Sequence, residues 1–176
     1  MLIGYDDGVE VVESIANAII TKSRDRGIGD LTPMKLQKLL YFAHGWYLAI
    51  RDQPLFDDDI QAWRYGPVVY NIYREFKDCR DQPINRFAVR IDYSQDKGVM
   101  RSEPIPSAND EIWDLVDAVL RRYGDFSPVQ LMNLTHEEGA PWHVVVDQCG
   151  GRLPLATNIP NELIKEHFRA KLENAA

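Results

Sequence analysis

Cysteine is scarce in this sequence. The 176 residues include only Cys79 and Cys149, which lie far apart along the chain. Metal and redox motifs place cysteines a few residues apart, and disulfide-stabilised domains need several pairs. Neither architecture is indicated, and we interpret both cysteines as buried or incidental thiols.

Long hydrophobic runs are also missing. A membrane-spanning helix needs about 18 or more consecutive apolar residues, and the richest segment here is interrupted by Lys35, Lys38 and Arg51. The N-terminus shows no basic stretch followed by an apolar core, which is the pattern of an export signal. We therefore expect a cytoplasmic location and no membrane partner.

Positive charge is in the minority. The chain has 20 Lys and Arg residues against 27 Asp and Glu residues, which gives a formal net charge of -7. Sequence-independent binding to nucleic acid requires clustered basic residues, so this balance disfavours a nucleic-acid partner and favours a basic protein. A nucleic-acid-associated protein remains an alternative because a predicted hairpin carries a local group of basic residues, Arg86, Arg90, Lys97 and Arg101.

What the sequence does contain is helical periodicity, with proline at the helix starts. Proline costs no hydrogen bond in the first turn of a helix. Five prolines stand directly before apolar segments, in Thr32-Pro33, Gly66-Pro67, Ser127-Pro128, Ala140-Pro141 and Ile159-Pro160. Two more helices are predicted from apolar stripes that end near Gly27 and Gly124. This pattern indicates a mostly helical body.

One segment has the period of a strand. Residues 86–94, RFAVRIDYS, alternate apolar and polar side chains, and QDKG at 95–98 predicts a turn to a returning strand. We expect Ile60 to Arg64 to join the edge of this hairpin. The predicted fold is mainly α (α+β): a single domain over residues 1–176, with a helical bundle around a central aromatic-rich helix and a small antiparallel β-sheet.

The central helix is predicted within residues 31–50, LTPMKLQKLLYFAHGWYLAI. Its core-facing stripe consists of Leu36, Leu39, Leu40, Ala43, Trp46, Tyr47 and Ile50. Tyr41, Phe42 and Leu48 fall outside this stripe, so we expect other elements to cover them. The alternative is a partner surface on this helix, formed by a rim of Lys38, Tyr41, His44 and Trp46.

The search for catalytic groups returns little. His136 and His143 stand on either side of Pro141, which breaks the helix that would align them as metal ligands. Cys149 lacks the surrounding signature of a thiol nucleophile. We therefore predict a protein that is not an enzyme and holds no metal or cofactor. A hydrolase with a cryptic site built from His136, His143 and Cys149 is kept as an alternative.

Three segments carry a pattern that goes beyond periodicity. They are KLQKLLYFAHGWYLA at 35–49, AWRYGPVVYNIYREFK at 62–77 and LTHEEGAPW at 134–142. Together they resemble the Panacea domain family, which is also described as SocA-like antitoxins and as phage-associated GepA proteins. With the helices between them, the resemblance covers about residues 9 to 170, the predicted core of the domain. Phe42 and the inserted Glu138-Gly139 depart from the family pattern.

The resemblance implies an antitoxin, which neutralises a toxin encoded by the adjacent gene by binding it directly. One branch of the family is similar but works as a proteolytic adaptor, delivering its toxin to a ClpXP-type protease. Partner contacts are predicted for Lys35 and Lys38, on the more polar side of the central helix, and for Tyr41, Arg64 and Tyr65. The other motif residues are interpreted as structural: Leu36, Gln37, Leu39, Leu40, Trp63, Gly66, Pro67, His136, Pro141 and Trp142.

Overall fold

Helices make up most of the chain in the computed structural model, which describes residues 9–92, 99–102 and 109–174. In these ranges the α-helices are α1 Val12–Asp25, α2 Pro33–Arg51, α3 Tyr70–Phe76, α4 Asp110–Tyr123, α5 Pro128–Thr135, α6 Pro141–Gln148 and α7 Asn161–Glu173. The strands are β1 Ile60–Trp63, β2 Gly66–Val69, β3 Val89–Asp92 and β4 Val99–Ser102. The predicted mainly α (α+β) class is confirmed. None of the helices in these ranges is long and apolar enough to cross a membrane.

Proline marks the start of four helices, as predicted. Pro33, Pro128 and Pro141 are the first residues of α2, α5 and α6, and Pro160 is the N-cap of α7. The fifth predicted start, Gly66-Pro67, is wrong, because these two residues begin strand β2 and α3 follows that strand. Proline is compatible with this position because β1 pairs with the main-chain groups of the residues on either side of it.

The four strands form two separate antiparallel hairpins. β1 pairs with β2, with Ile60 opposite Val69, and β3 pairs with β4. The prediction that Ile60 to Arg64 joins the β3–β4 hairpin is therefore wrong. Gly66 has a φ of 100°, a backbone conformation that glycine adopts without strain, and the chain turns back against β1 there. The turn predicted at 95–98 lies outside the described residues.

The other edge of β1 is also paired. The Ala62 N–H donates to the Thr157 carbonyl, and the Ile159 N–H donates to the Ile60 carbonyl, both at 2.7 Å. The segment between α6 and α7 is thereby attached to the hairpin. β1 consequently has hydrogen-bonded neighbours on both sides.

Helix α2 occupies the centre of the molecule. It packs against α1, α3, α4, α5, α7 and β2. Tyr41, Phe42 and Leu48 are each no more than 4% exposed, so the prediction that other elements cover them is confirmed. Phe42 stacks on Tyr123 of α4 with ring centroids 4.2 Å apart. Ile50 is 59% exposed, because the predicted stripe continues into the last turn of α2, beyond the core.

The contact between α2 and α7 is especially close. Gly45 lies against the ring of Phe168, and a Cβ at position 45 would overlap that ring. The neighbouring His44 is fully buried, with its Nε2 2.9 Å from the Asn161 Oδ1 and its ring 4.3 Å from that of Phe56. Burial lowers the pKa of His44 to about 4. Most of the rim considered as an alternative partner surface is therefore part of the core.

Candidate partner-binding site

The β1–β2 hairpin is attached to the central helix through two side chains. The Val69 N–H donates to Oε1 of Gln37 at 2.8 Å, and Nε2 of Gln37 donates to the Val69 carbonyl at 3.1 Å. Nζ of Lys38 donates to the Pro67 carbonyl at 3.0 Å. These groups of β2 face away from β1, so Gln37 and Lys38 occupy the position that a neighbouring strand would otherwise take.

Lys35 and Lys38 are each 1% exposed, so the prediction that they lie on a polar, accessible side of α2 is wrong. Lys35 donates to the Gly124 carbonyl at 2.7 Å and forms a salt bridge with Asp30. The physical reason is that the aliphatic stem of a lysine packs well in a core when its amine reaches a hydrogen-bond acceptor. Tyr41 is buried too. All three residues therefore lie too deep to contact a partner on the surface of this structure.

Lys38 is buried without an acidic partner among the described residues. Burial lowers the pKa of its amine to about 7, because removal from water disfavours the charged form. The pKa of the nearby His136 is also lowered, by burial and then by the charges of Lys38 and His143. Its Nε2 is buried and makes no hydrogen bond within the described part of the chain. The environment therefore favours the neutral form of both basic groups.

Gly66 makes room for the Lys38 side chain. A Cβ at position 66 would lie 2.7 Å from Oγ1 of Thr135 and 2.9 Å from Cε of Lys38. Close approach and a positive φ together favour glycine here. The Gly-Pro pair of the second motif segment is thus explained by packing against α2 and α5.

The third motif segment holds the turn end of the same hairpin. The Nε1–H of Trp142 donates to the Trp63 carbonyl at 2.7 Å, and the His136 ring stacks on Trp142 with centroids 3.7 Å apart. Pro141 is buried at the start of α6. The remaining motif leucines, Leu36, Leu39 and Leu40, are buried in the core. All three motif segments therefore meet at the β1–β2 hairpin.

A groove of about 830 Å³ opens beside the contact between Trp63 and Trp142. One part of its lining is aromatic and contains Trp63, Tyr70 and Trp142, and another part comes from the loop at 151–156. Leu155 of this loop is fully exposed. We call this feature the Trp63–Leu155 groove.

Two predicted partner-binding residues are accessible at this groove. Arg64 lines it, and Tyr65, which is 58% exposed, is its neighbour in the β1–β2 turn. The Arg64 guanidinium lies 5.3 Å from the centroid of the Tyr65 ring and forms no ion pair with any described residue. Sequence analysis did not single out Tyr70 and Leu155 as site residues. The available signal for Leu155 was an apolar residue inside a loop rich in glycine and proline.

The three residues of the alternative hydrolase site each have separate contacts. Nδ1 of His143 accepts from the Gly139 N–H at 3.3 Å, and its Nε2 lies 3.9 Å from the Asp147 carboxylate. His136 is stacked on a tryptophan, and Cys149 is the C-cap of α6. Within the ranges that the structure describes, no group of three or more His, Cys, Asp or Glu side chains is arranged to hold a metal ion.

The basic group considered for nucleic acid is partly neutralised. Arg86 forms salt bridges with Glu75 and Asp78, so its guanidinium already has carboxylate partners. Lys97 and the side chain of Arg101 lie outside the described part of the chain. Arg90 is exposed and lines a small pocket together with the acidic residues Asp57 and Asp58. The positive charge of the described residues at this hairpin is thus partly offset by neighbouring carboxylates.

The comparison with known proteins agrees with the motif segments. Residues 36–143 match the family model described as "Antitoxin SocA-like, Panacea domain". The chain is also 32% identical over 156 residues to "Antitoxin SocA" of Caulobacter vibrioides (strain NA1000 / CB15N), an alignment that covers 89% of this chain and 81% of that protein. The chain belongs to the SocA-like antitoxin family, which is defined by the Panacea domain. A search of the solved structures found no match.

Family membership divides the groove into two parts. The aromatic wall with Trp63, Tyr70 and Trp142 lies within the range that matches the Panacea domain, 36–143. The part of the lining at 151–156 lies beyond the end of that range. The groove of this Panacea domain protein is therefore built partly from the family motif and partly from a following loop.

Proposed function

We propose that this protein is an antitoxin that neutralises a protein toxin encoded by the adjacent gene, by binding it directly in the cytoplasm. The observation that carries the proposal is the 32% identity to "Antitoxin SocA" over 89% of the chain. A binding protein needs an accessible surface with aromatic and arginine side chains, since these provide most of the energy in protein interfaces. Arg64, the exposed Tyr70 and the half-buried Trp63 and Trp142 of the Trp63–Leu155 groove offer such a surface.

The charge of the chain supports a protein partner. A net charge of -7 attracts a toxin with an excess of basic residues and accelerates the encounter. The same charge repels the phosphates of nucleic acid. We therefore propose that the toxin itself is the bound partner.

The proposal is tested by expressing the adjacent reading frame in bacteria with and without this protein. Growth should stop when that reading frame is expressed alone and should resume when both are expressed. The two purified proteins should also associate in size-exclusion chromatography. A neighbour that is harmless on its own, or one that never associates with this protein, contradicts the proposal.

We further propose that neutralisation involves no catalysis by this chain. Cys149→Ser and His143→Ala remove two groups of the alternative hydrolase site, and both side chains are only partly buried. Each variant should neutralise the toxin as well as the unmodified protein does. Loss of neutralisation in a variant that keeps its circular dichroism spectrum would favour the hydrolase.

Delivery of the toxin to a ClpXP-type protease is a second mode of neutralisation, supported by the resemblance to SocA-like antitoxins. The two modes differ in the fate of the toxin. Under delivery, the toxin level should fall when the antitoxin is present and recover in cells that lack the protease. Under simple occlusion, the toxin level should stay constant while growth resumes.

A further inference from the structure

The loop wall of the Trp63–Leu155 groove holds a large apolar side chain in water. Leu155 is fully exposed, and the adjacent Ala156 has a φ of 58°. This left-handed conformation is strained for any residue with a Cβ. The loop therefore presents Leu155 at a conformational cost, with no compensating burial of this side chain in the described structure.

The aromatic part of the groove lining belongs to a cluster of neighbouring rings. The Trp63 ring centroid lies 4.7 Å from that of Tyr73 and 6.4 Å from that of Tyr70. Both tyrosines are exposed. Trp142 is held next to these residues by the hydrogen bond from its Nε1–H to the Trp63 carbonyl. Large rings held in place by the fold are typical anchor sites for an apolar side chain of a partner.

The charge at the groove is opposite to that of the whole chain. Arg64 is the charged side chain among the described residues that line it, whereas the chain has a net charge of -7. Arg74 lies 6.0 Å from the Tyr70 ring, and Arg152 is exposed between two lining residues of the loop. None of these three arginines forms an ion pair with a described residue. A carboxylate is the group best suited to pair with these guanidinium groups, because guanidinium and carboxylate form two parallel hydrogen bonds.

We propose that the Trp63–Leu155 groove binds a segment of the toxin that presents an apolar side chain beside an aspartate or glutamate. The apolar side chain packs between Trp142 and Leu155, and the carboxylate pairs with Arg64. This inference rests on the proposed antitoxin function and names the part of the toxin that is recognised. Under this proposal, side chains of a single groove recognise the toxin.

Two groove variants and two matched controls test the proposal against the purified product of the adjacent reading frame. Arg64→Glu and Leu155→Asp should each raise the dissociation constant roughly thirtyfold or more, as expected for interface anchors. Arg121→Glu and Val129→Asp alter residues that are also exposed but do not line the groove. The controls should stay within about twofold of the unmodified protein, as expected for substitutions outside the interface.

A photo-crosslinking experiment then identifies the occupant. With Leu155 replaced by p-benzoyl-phenylalanine, irradiation of the complex should join this loop to a toxin peptide that contains Asp or Glu. Replacing that acidic residue of the toxin by lysine should restore binding to the Arg64→Glu variant.

The outcomes separate this inference from the antitoxin function on which it rests. If the unmodified protein binds the toxin and both groove variants bind it equally well, the antitoxin function stands and the inference is wrong. A crosslink to a second copy of this chain, or to a toxin peptide without a carboxylate, overturns it as well. If the unmodified protein fails to bind the toxin, direct neutralisation and this inference fall together.

Discussion

The two sides of the β1–β2 hairpin differ in how their side chains are paired. On the α2 side, Gln37 and Lys38 are buried and are hydrogen-bonded to the main chain of β2. On the groove side, Arg64 is exposed and has no ion-pair partner among the described residues, and Leu155 is fully exposed. The first side therefore stabilises the fold, whereas the second leaves side chains available to another molecule.

Motif residues are found on both sides, so membership of a motif does not reveal which task a residue has. Lys38 and Arg64 are both basic residues of the family segments. Only the structure shows that one amine is enclosed and the other cation is accessible. The contrast is testable, because changes on the buried side should reduce stability and changes on the groove side should not.

The largest effect on stability is expected for Gly66→Ala. The new Cβ would meet Thr135 and Lys38 at less than 3 Å, and the positive φ would be strained. We expect the free energy of unfolding to fall by about 4 kcal/mol, which combines overpacking with backbone strain. Gly139→Ala is the matched control, since Gly139 also has a positive φ but its Cβ would meet nothing within 4 Å. Equal losses in urea denaturation would show that packing at Gly66 is unimportant.

Gln37→Glu should have the next largest effect. The carboxylate would still accept from the Val69 N–H but would lose the donor to the Val69 carbonyl, and it would place a charge in the core. We expect a loss of about 3 kcal/mol, because a buried acceptor is left unpaired and a charge is desolvated. Gln148→Glu, at an exposed position, is the control and should change stability little. A Gln37→Glu protein as stable as the control would remove Gln37 from the set of fold-determining residues.

Lys38 should make stability depend on pH. Its pKa is lowered from an ordinary value of 10.5 to about 7 in the folded protein. Between these two pKa values the unfolded chain binds more protons than the folded protein does. The free energy of unfolding therefore increases as the pH rises from 7, and this gain disappears as the pH falls back towards 7. We expect a gain of about 2 kcal/mol between about pH 7.5 and pH 9.

The Lys38→Met variant identifies the source of this pH dependence. Urea denaturation of the variant should show a flatter profile over the same range, since methionine does not titrate. Measurements should stop below about pH 10, because the raised pKa of the buried Tyr41 acts in the opposite direction there. A variant that retains the full slope would assign the effect to another group.

The smallest change in stability is expected on the groove side. Arg64→Glu and Leu155→Asp alter exposed residues, and we expect the free energy of unfolding to stay within about 0.5 kcal/mol of its original value. The same two variants are expected to lose toxin binding. A loss of stability comparable to that of Gln37→Glu would mean that both sides of the hairpin maintain the fold.

The sequence was informative where periodicity and local chemistry agree. Four proline-marked helix starts and the cover over Tyr41, Phe42 and Leu48 were predicted correctly, because proline position and apolar spacing are local signals. The assignment of Gly66-Pro67 to a helix failed because the pairing of β2 with β1 and with Gln37 depends on residues distant in sequence. Tertiary contacts, which local sequence signals do not reveal, decide whether such a segment forms a helix or a strand.

The candidate site was predicted only in part, for a related reason. Arg64 and Tyr65 were chosen as arginine and aromatic anchor types. Arg64 lines the groove, and Tyr65 is its exposed neighbour in the β1–β2 turn. Lys35 and Lys38 were misplaced because a helical wheel assigns charged residues to solvent, whereas here main-chain carbonyls of other elements receive their amines. The loop with Leu155 carries no periodic signal, and it lines the same groove as Trp142 only when α6 and β1 are packed together.

The pairing of both edges of the β1–β2 hairpin has a consequence for how a toxin would be selected under the proposed function. With Gln37 and Lys38 on β2 and residues 157–159 on β1, both edges of this hairpin are covered in the described structure, which disfavours the addition of an incoming polypeptide as a further strand there. Strand addition is tolerant of sequence, because it uses main-chain groups that every protein has. Under the proposed function, discrimination would fall to side chains instead, so new toxin specificities would arise by substitution at a few exposed positions while the scaffold stays intact.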